Sequence, residues 1–332
     1  MLKKLFFLPS KNLVWSIPVI LIAGFFTGLL VDTTVLKAYI PVFTFLMIYP
    51  TMIGFKLKEA VDFSHGKVMA ATLVLNFLFI PAIAYLLGIL LLRNNPGFFA
   101  GIIMISLFPT SGMTISWTML SKGNVPAAIK ITAISLLLGS FLAPVYLYGL
   151  VGTVVTVDVG GTFLTIAQVV LLPMILAAFT YRILMKKYSM EQFNKKIKPI
   201  LPASSTWAMM FIIFTSISMK AKMLVSDPGT LVNAILLLLL FYLVNFSVST
   251  LVARLFFQPA DGYALVFGTV LRNLTIALGL AIAFFGPETS LIITLAFILQ
   301  VQGAAWYGKL SKTYSWLERK PRTEAIKPEG TI

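Results

Sequence analysis

Two short polar stretches interrupt long apolar runs of this sequence, and their residue types suit the binding of an anion. Residues 108–114 read FPTSGMT, and residues 270–275 read VLRNLT. Proline cannot donate a helical hydrogen bond and glycine relaxes the backbone, so Pro109 and Gly112 predict a break in the first helix. Arg272 lies in the second stretch and presents a planar fork of donors that matches carboxylates and oxyanions.

Each break predicts a cavity. Hydrocarbon tolerates free backbone polar groups only where they are buried in protein or line a wet cavity. Two interrupted segments in matching halves of a chain are typical of the binding site of a transporter. The substrate site predicted from these breaks comprises Thr110, Ser111, Gly112, Thr114, Arg272, Asn273 and Thr275.

Three more polar residues in apolar runs are candidates for coupling to an ion or for replacing one. They are Asn76, Lys130 and Thr132, and Arg272 belongs to this group as well. A buried lysine loses its proton readily, so Lys130 could titrate in a proton-coupled cycle. Two alternatives stay open: Lys130 could extend to the membrane interface, and Arg272 could satisfy carbonyls that the broken helix frees.

Acidic residues are absent from the apolar runs. All eleven Asp and Glu fall in predicted loops or tails, and the chain has no cysteine. A proton relay or sodium site in a transporter is usually built around an intramembrane carboxylate, which this chain does not offer. Because the predicted spans also lack histidine, they hold neither a nucleophile with a base nor a pair of acids, which argues against an enzyme. We predict no metal and no organic cofactor.

The elements that position these residues are predicted to be transmembrane helices. Hydrophobic residues make up 59% of the 332 residues and charged residues only 11%, and the mean hydropathy is +0.95. Apolar runs of this length predict an all-α polytopic membrane protein and exclude a barrel of short alternating strands. We predict ten spans at about 13–31, 36–55, 67–92, 97–121, 124–151, 162–185, 200–219, 229–254, 262–286 and 289–309.

Charge distribution predicts the topology. The chain has 26 Lys and Arg and a net charge of +15. Most of these cations fall in predicted loops and tails that lie on the same side of the membrane as the N-terminus. The positive-inside rule then places both ends in the cytoplasm of a cell whose inner (plasma) membrane holds the protein. The charge is explained by this orientation, so we expect no nucleic-acid partner. We predict one domain over residues 1–312 and a disordered cytoplasmic tail over 313–332.

A weak internal repeat relates the two halves. The Lys-x-Lys pair of residues 56–58 recurs at 220–222, and Asn273 follows Pro109 at the same offset. Five spans repeat, about 13–151 and about 162–309. Because five is odd, the halves must be inverted in the membrane. Broken helices 4 and 9, which cross near the midplane, are typical of this architecture.

The residues of the first break and its surroundings resemble a known family. The stretch 108–113, the Ser-Lys-Gly-Asn exit at 121–124 and Ile-Thr-Ala at 131–133 are similar to helices 4 and 5 of bile acid:sodium symporters. The arsenite-efflux branch of the same bile/arsenite/riboflavin transporter superfamily shares this region and carries an Arg-Asn pair like Arg272-Asn273. The resemblance covers nearly the whole chain and implies ten helices, with two crossing helices at the site.

The resemblance also implies sodium ligands, and most of them are missing. The serine-asparagine pair of helix 4 falls on Thr114-Ile115, and the serine of helix 5 on Ala128. Only Thr132 matches. The acidic ligand of the symporters falls on Gly268 in this chain. Their two glutamine ligands fall on Arg272 and Asn76. The characteristic residues of the arsenite branch are also missing. Its cysteine would fall near residues 109–110 and its glutamate near Ile276, and this chain has neither there.

These departures predict a secondary carrier of a small organic anion that works by alternating access and without sodium, because Lys130 and Arg272 replace the ion. Sodium binding stays open, although most of its ligands are absent. One alternative is an arsenite or other metalloid efflux carrier. Another, of a different class, is a membrane receptor that does not transport. We expect an anionic small molecule and the lipid bilayer as partners. The oligomeric state stays open, and a monomer is consistent with the sequence.

Overall fold

The computed structural model of the protein describes residues 2–54, 59, 62, 64–152 and 159–318. Within these residues all regular structure is helical, apart from one isolated bridge between two extended residues. The predicted tail begins inside the last helix, which ends at Thr313, and its residues 319–332 lie outside the described part.

Sixteen α-helices follow one another along the described chain. They are α1 (Leu2–Lys11), α2 (Leu13–Leu30), α3 (Ile40–Met52), α4 (Gly66–Val74), α5 (Ile80–Leu92), α6 (Pro96–Leu107), α7 (Gly112–Leu120), α8 (Val125–Tyr146), α9 (Val159–Ile166), α10 (Leu172–Lys187), α11 (Met190–Gln192), α12 (Ile200–Ser226), α13 (Pro228–Phe256), α14 (Pro259–Val270), α15 (Leu274–Phe284) and α16 (Pro287–Thr313). A 3₁₀ turn (Thr34–Tyr39) leads into α3, and π-helical turns at Leu75–Phe79, Leu147–Val151, Ala167–Leu171 and Phe193–Ile197 join or extend neighbouring helices.

Seven helical stretches of the described chain are long and apolar enough to cross a membrane, which makes this a multi-pass membrane protein. They are Thr34–Met52, Gly66–Leu92, Val125–Val151, Phe163–Lys187, Met190–Ser226, Pro228–Phe256 and Glu288–Thr313. An eighth results if Lys4–Lys11 and Trp15–Leu30, which meet at 97°, form one span. Predicted spans 4 and 9 are each divided into two shorter helices, so the count of ten stays a prediction.

The connection predicted between residues 186 and 199 is largely helical. The short α11 and the turn Phe193–Ile197 lead into α12, which extends to Ser226 instead of ending near residue 219. Phe193 explains the order of this segment, because it is buried and packs edge-on against Tyr181 with ring centroids 5.2 Å apart. The surrounding lysines are exposed. Because of these charges, the sequence pattern indicated a polar connection and not a packed helical segment.

The helices pack in two groups. We call α2, α3, α10 and α12 the panel, and α4–α8 together with α13–α16 the core bundle. Close approaches hold each group together. In the panel, a side chain at Gly28 would place its Cβ 2.0 Å from the carbonyl oxygen of Ser218. In the core bundle, a Cβ at Gly101 would lie 2.1 Å from Ile292. Large side chains at either glycine would push the helices apart.

Polar contacts mark two opposite ends of the molecule, which we name after the predicted topology. At the predicted cytoplasmic face, the Asn124 backbone N–H donates to the Ala260 carbonyl (2.9 Å), and its side-chain amide donates to Asp261 (2.7 Å). At the predicted outer face, Thr33 donates to Ser218 (2.9 Å). The broken helices α6–α7 and α14–α15 run between these two ends.

Candidate functional site

The two predicted breaks are present, and they meet. The first lies between α6 and α7, and the second between α14 and α15. Pro109 and Arg272 pair as an isolated antiparallel bridge, and the Asn273 N–H donates to the Phe108 carbonyl at 2.7 Å. Thr110 takes a left-handed backbone conformation with φ 64°, which few residues other than glycine adopt. The chain therefore crosses itself through extended backbone in its interior.

The guanidinium of Arg272 fills a cage of oxygen atoms at this crossing, and the residue is fully buried. Its donors reach the carbonyls of Ile105 (3.1 Å), Ser106 and Thr269 (2.9 Å), and Oδ1 of Asn76 (2.6 Å). Ile105 and Ser106 belong to the last turn of α6, where helical carbonyls have no partner within the helix. The geometry thus favours the alternative in which Arg272 satisfies carbonyls that the breaks free.

Gln300 of α16 holds the backbone of the same residue. Its Oε1 accepts from the Arg272 N–H at 2.7 Å, and its Nε2 donates to the Arg272 carbonyl at 3.1 Å. The buried Tyr242 hydroxyl donates to the same Oε1 at 3.2 Å. Gln300 lies outside the site predicted from the sequence. The one available signal was an amide inside a long apolar helix, which is equally typical of contacts between helices.

The second half of each broken helix begins at the crossing. Ser111 caps α7: its Oγ accepts from the Met113 N–H (3.3 Å), while the Thr114 hydroxyl accepts from the Ser111 N–H (3.2 Å). Asn273 caps α15 through Oδ1, which accepts from the Ile276 N–H at 3.3 Å. Helix N-termini carry partial positive charge and unpaired N–H groups. Two of them converge here beside a buried cation.

The predicted substrate residues form two layers. Thr110, Thr114 and Arg272 are fully buried, and Thr114 donates to the Phe267 carbonyl at 3.2 Å. We call the other four the accessible layer: Ser111, Asn273 and Thr275 are half-buried, and Gly112 is exposed. A Cβ added at Gly112 would meet no atom within 4 Å, so open space lies beside the break.

Protein atoms surround the positions at which the resemblance implies sodium ligands. Asn76 is committed to protein partners, since its Nδ2 donates to the Gly268 carbonyl (2.9 Å) while Oδ1 accepts from Arg272. An acidic side chain at position 268 would be crowded, because its Cβ would lie 3.0 Å from Ile131. The Thr132 hydroxyl donates back to the Ala128 carbonyl at 2.7 Å.

Lys130 does not join the crossing. Its Nζ lies 2.8 Å from a carboxylate oxygen of Asp62, donates to Ser64 Oγ, and lies 3.4 Å from Nδ1 of His65. The hydrogen bond from Lys130, with a second from the Ser64 N–H, lowers the pKa of the Asp62 carboxyl to about 2. Lys130 thus extends toward the predicted cytoplasmic face, as the interface alternative holds. Nothing in the sequence pattern pairs Asp62 with it.

Another cavity lies away from the two breaks. It is an open groove of about 460 Å³ between α4 and α13, lined by Lys67, Ala71, Val74, Leu75, Val252, Phe256 and Phe257. Apart from Lys67 its lining is apolar, and none of these residues belongs to either break. It offers no convergent polar groups, so the crossing remains the candidate site.

Two broken helices that meet inside a helical membrane protein define a transporter-like architecture. The comparison with protein families agrees: the model of the sodium bile acid symporter family matches residues 41–227, more than half of the chain. The chain belongs to this family of membrane transporters.

Individual relatives are distant. The chain is 22% identical over 259 residues to the uncharacterized protein YbaS of Bacillus subtilis, a match that covers 78% of this chain and 82% of that protein. It is 28% identical over 162 residues to the probable sodium/metabolite cotransporter BASS1 of Oryza sativa, covering 48% of this chain but only 38% of that protein. It is 23% identical over 261 residues to the arsenical-resistance protein Acr3 of Corynebacterium glutamicum, covering 74% and 70%.

Proposed function

We propose that this chain is a secondary transporter that moves a small organic anion through the crossing of its two broken helices. The observation that carries the proposal is the convergence of two helix N-termini beside a guanidinium that is wholly buried. In the described part of the chain, the hydrogen-bond acceptors around Arg272 are carbonyl and amide oxygens, and none is a carboxylate. The positive charge is therefore solvated by the protein without being neutralised.

Such a site favours an anion for two reasons. A buried charge interacts strongly at low dielectric, so an unneutralised cation attracts a negative group at the accessible layer. Helix N-termini bind carboxylates and phosphates through free N–H groups. We expect the anionic group to lie against Ser111, Gly112 and Asn273, with Thr275 nearby. Arg272 would then act mainly through its field, because four of its five N–H donors already have acceptors within the protein.

We further propose that transport does not require sodium. Arg272 is surrounded by carbonyl oxygens and one amide oxygen, which are atoms that bind cations in proteins. Its guanidinium, which is covalently part of the chain, takes the place of a bound ion. Lys130 is excluded from this part of the proposal, since Asp62 and Ser64 hold it at another location.

The wider architecture is proposed on the same grounds. Two helix breaks of similar form support ten spans in two inverted repeats of five helices. The core bundle, which carries both breaks, would move against the panel and expose the crossing to either side in turn. The cation-rich segments support an inner-membrane location with both termini in the cytoplasm.

The proposal is tested with purified protein in proteoliposomes. Uptake of cholate, pyruvate and pantoate is measured in sodium and in choline buffers. We expect uptake of one of these anions at equal rates in both buffers. Asn273→Leu should reduce it at least tenfold, because the substitution removes the cap of α15 and blocks the accessible layer. Gln302→Leu on α16 is the matched control and should leave uptake unchanged.

Other outcomes of this experiment separate the alternatives. Arsenite flux without organic-anion flux would favour the metalloid carrier, for which the similarity to Acr3 is the supporting observation. Binding of an anion without flux of any substrate would favour the receptor. Strictly sodium-dependent uptake would contradict the proposed replacement of sodium by Arg272.

A further inference from the structure

One ion pair joins the panel to the core bundle at the predicted outer face. Nζ of Lys220, on α12 of the panel, lies 2.8 Å from a carboxylate oxygen of Glu288, in the first turn of α16. Two other ion pairs lie in different places: Lys195–Glu191 is local to one segment, and Lys130–Asp62 lies at the opposite face. Lys220–Glu288 is therefore suited to hold the two groups together.

The carboxylate is fixed in place by its own group of helices. Gly97, at the beginning of α6, lies against Glu288 so closely that a Cβ there would be 2.8 Å from the Cβ of Glu288. The next residue, Thr289, donates to the Gly97 carbonyl at 2.8 Å. Glu288 is thus part of a rigid corner of the core bundle, and Lys220 reaches it from the panel.

A small space between the two groups is lined by close sequence neighbours of Lys220 and Glu288. Only about 10 Å³ remains there, which is the volume that one water molecule requires. Its lining comes from both groups: Lys37, Ile40, Ser216 and Met219 of the panel side, and Ile282, Gly286 and Ser290 of the core bundle. At the other end of the crossing, Gly112 and Ser116 on α7 are exposed. The described residues thus leave little space between the two groups on the side of Lys220, while α7 has exposed residues on the other side.

We propose that Lys220 and Glu288 form a latch that keeps the predicted outer face closed and that must open for the crossing to reach that side. The proposal rests on alternating access as described above. Both side chains are partly exposed, with 22% and 42% of their surfaces accessible, so the pair is a modest bond that can break repeatedly. Removing either charge should raise the population open at this face about two- to fivefold.

The test uses the natural absence of cysteine in this chain. Ser216→Cys places a thiol beneath the latch at a position that is 2% exposed and whose hydroxyl has no partner among the described residues. A maleimide is larger than the remaining space, so it reacts only when this face opens. The rate of labelling in detergent reports that opening without any substrate. Ile40→Cys, at a buried position that lines the same space, is a second reporter if the first variant folds poorly.

We expect Lys220→Gln and Glu288→Gln each to raise the labelling rate about two- to fivefold. The charge-swapped double variant, Lys220→Glu with Glu288→Lys, should restore the original rate. Lys222→Gln, on the same helix and exposed, is the matched control and should have no effect. Equal rates in the latch variants and in Lys222→Gln would overturn the proposal. Because no anion is involved, this result is independent of whether organic-anion transport is found.

Discussion

The two helix breaks solve the same problem with different side chains. At the second break, the carbonyl of Phe267 accepts from Thr114, a neutral hydroxyl supplied by the first. At the first, the carbonyls of Ile105 and Ser106 accept from Arg272, a cation supplied by the second. Each break thus satisfies carbonyls of the other, but only one contributes charge.

This difference between the two breaks makes the site positively charged. Were both breaks satisfied by hydroxyls, the crossing would be neutral apart from the helix N-termini. The single guanidinium adds a full positive charge where water is excluded, and a charge in such surroundings acts strongly on its neighbours. Stability and substrate charge should therefore depend far more on Arg272 than on Thr114.

The largest effect is expected from removing that cation. Arg272→Met keeps much of the volume but leaves three carbonyls and the Asn76 amide oxygen without donors, so it should lower stability by about 3–5 kcal/mol. Thermal or denaturant unfolding in detergent measures this loss. Arg272→Lys should fall between Met and the natural protein, because an ammonium cannot span four acceptors.

Guanidinium ions provide a control for the cage. Arg272→Ala leaves a space of the right shape, so a few millimolar guanidinium should raise the unfolding midpoint of this variant and not that of the natural protein. If neither guanidinium nor sodium affects the variant, the oxygen atoms do not form a cation cage once the side chain is gone.

A smaller effect is expected from Gln300, which holds the backbone of Arg272 at both its N–H and its carbonyl. Gln300→Leu should lower stability by about 1–3 kcal/mol, because two buried backbone groups lose their partner. Gln302→Leu, two residues further along α16 and half-buried, is the control. Equal losses of stability in the two variants would show that the hydrogen bonds of Gln300 to the Arg272 backbone add no stability of their own.

Thr114 should matter less. Thr114→Val removes a hydroxyl that donates to the Phe267 carbonyl and accepts from the Ser111 N–H, and it should cost about 1–2 kcal/mol. Thr118→Val, one turn later on α7, removes a buried hydroxyl that has no partner among the described residues. That control should be neutral or stabilising, and a loss at Thr118 as large as at Thr114 would argue against the reciprocal contact.

The smallest effect concerns Asp62 and Lys130. A carboxyl whose pKa falls from 3.8 to about 2 on folding contributes stability above about pH 4, and this contribution is lost as the pH falls toward 2. Asp62→Asn should therefore lower the unfolding midpoint slightly and by the same amount at pH 5, 6.5 and 8. A difference that varies among these three pH values would contradict this assignment of the effect to the Asp62 carboxyl.

The sequence predicted the positions of the breaks because proline, glycine and a lone arginine are local signals inside apolar runs. It left open that Arg272 satisfies freed carbonyls, but it did not identify the members of the cage. Three of the four are backbone carbonyls, which leave no mark on residue type. The fourth, Asn76, lies 196 positions from Arg272, and its role depends on how α4 and α14 pack.

The location of Lys130 could not be predicted from the sequence either. Its residue type and its depth in the span were compatible with the crossing and with the interface. Only the contacts of its Nζ with Asp62 and Ser64 separate the two. The family resemblance was confirmed, since it rests on contiguous motifs. Ten spans and inverted repeats stay predictions, because two spans are divided and the repeat signal is weak.

Anion binding as a function of sodium tests the central claim most directly. Purified protein is titrated by calorimetry with the organic anion that the transport assay selects, in sodium chloride and in choline chloride at equal ionic strength. The reciprocal crossing with its resident guanidinium predicts the same Kd in both salts. A Kd that falls steeply with sodium, and no longer does so in Thr132→Ala, would contradict it.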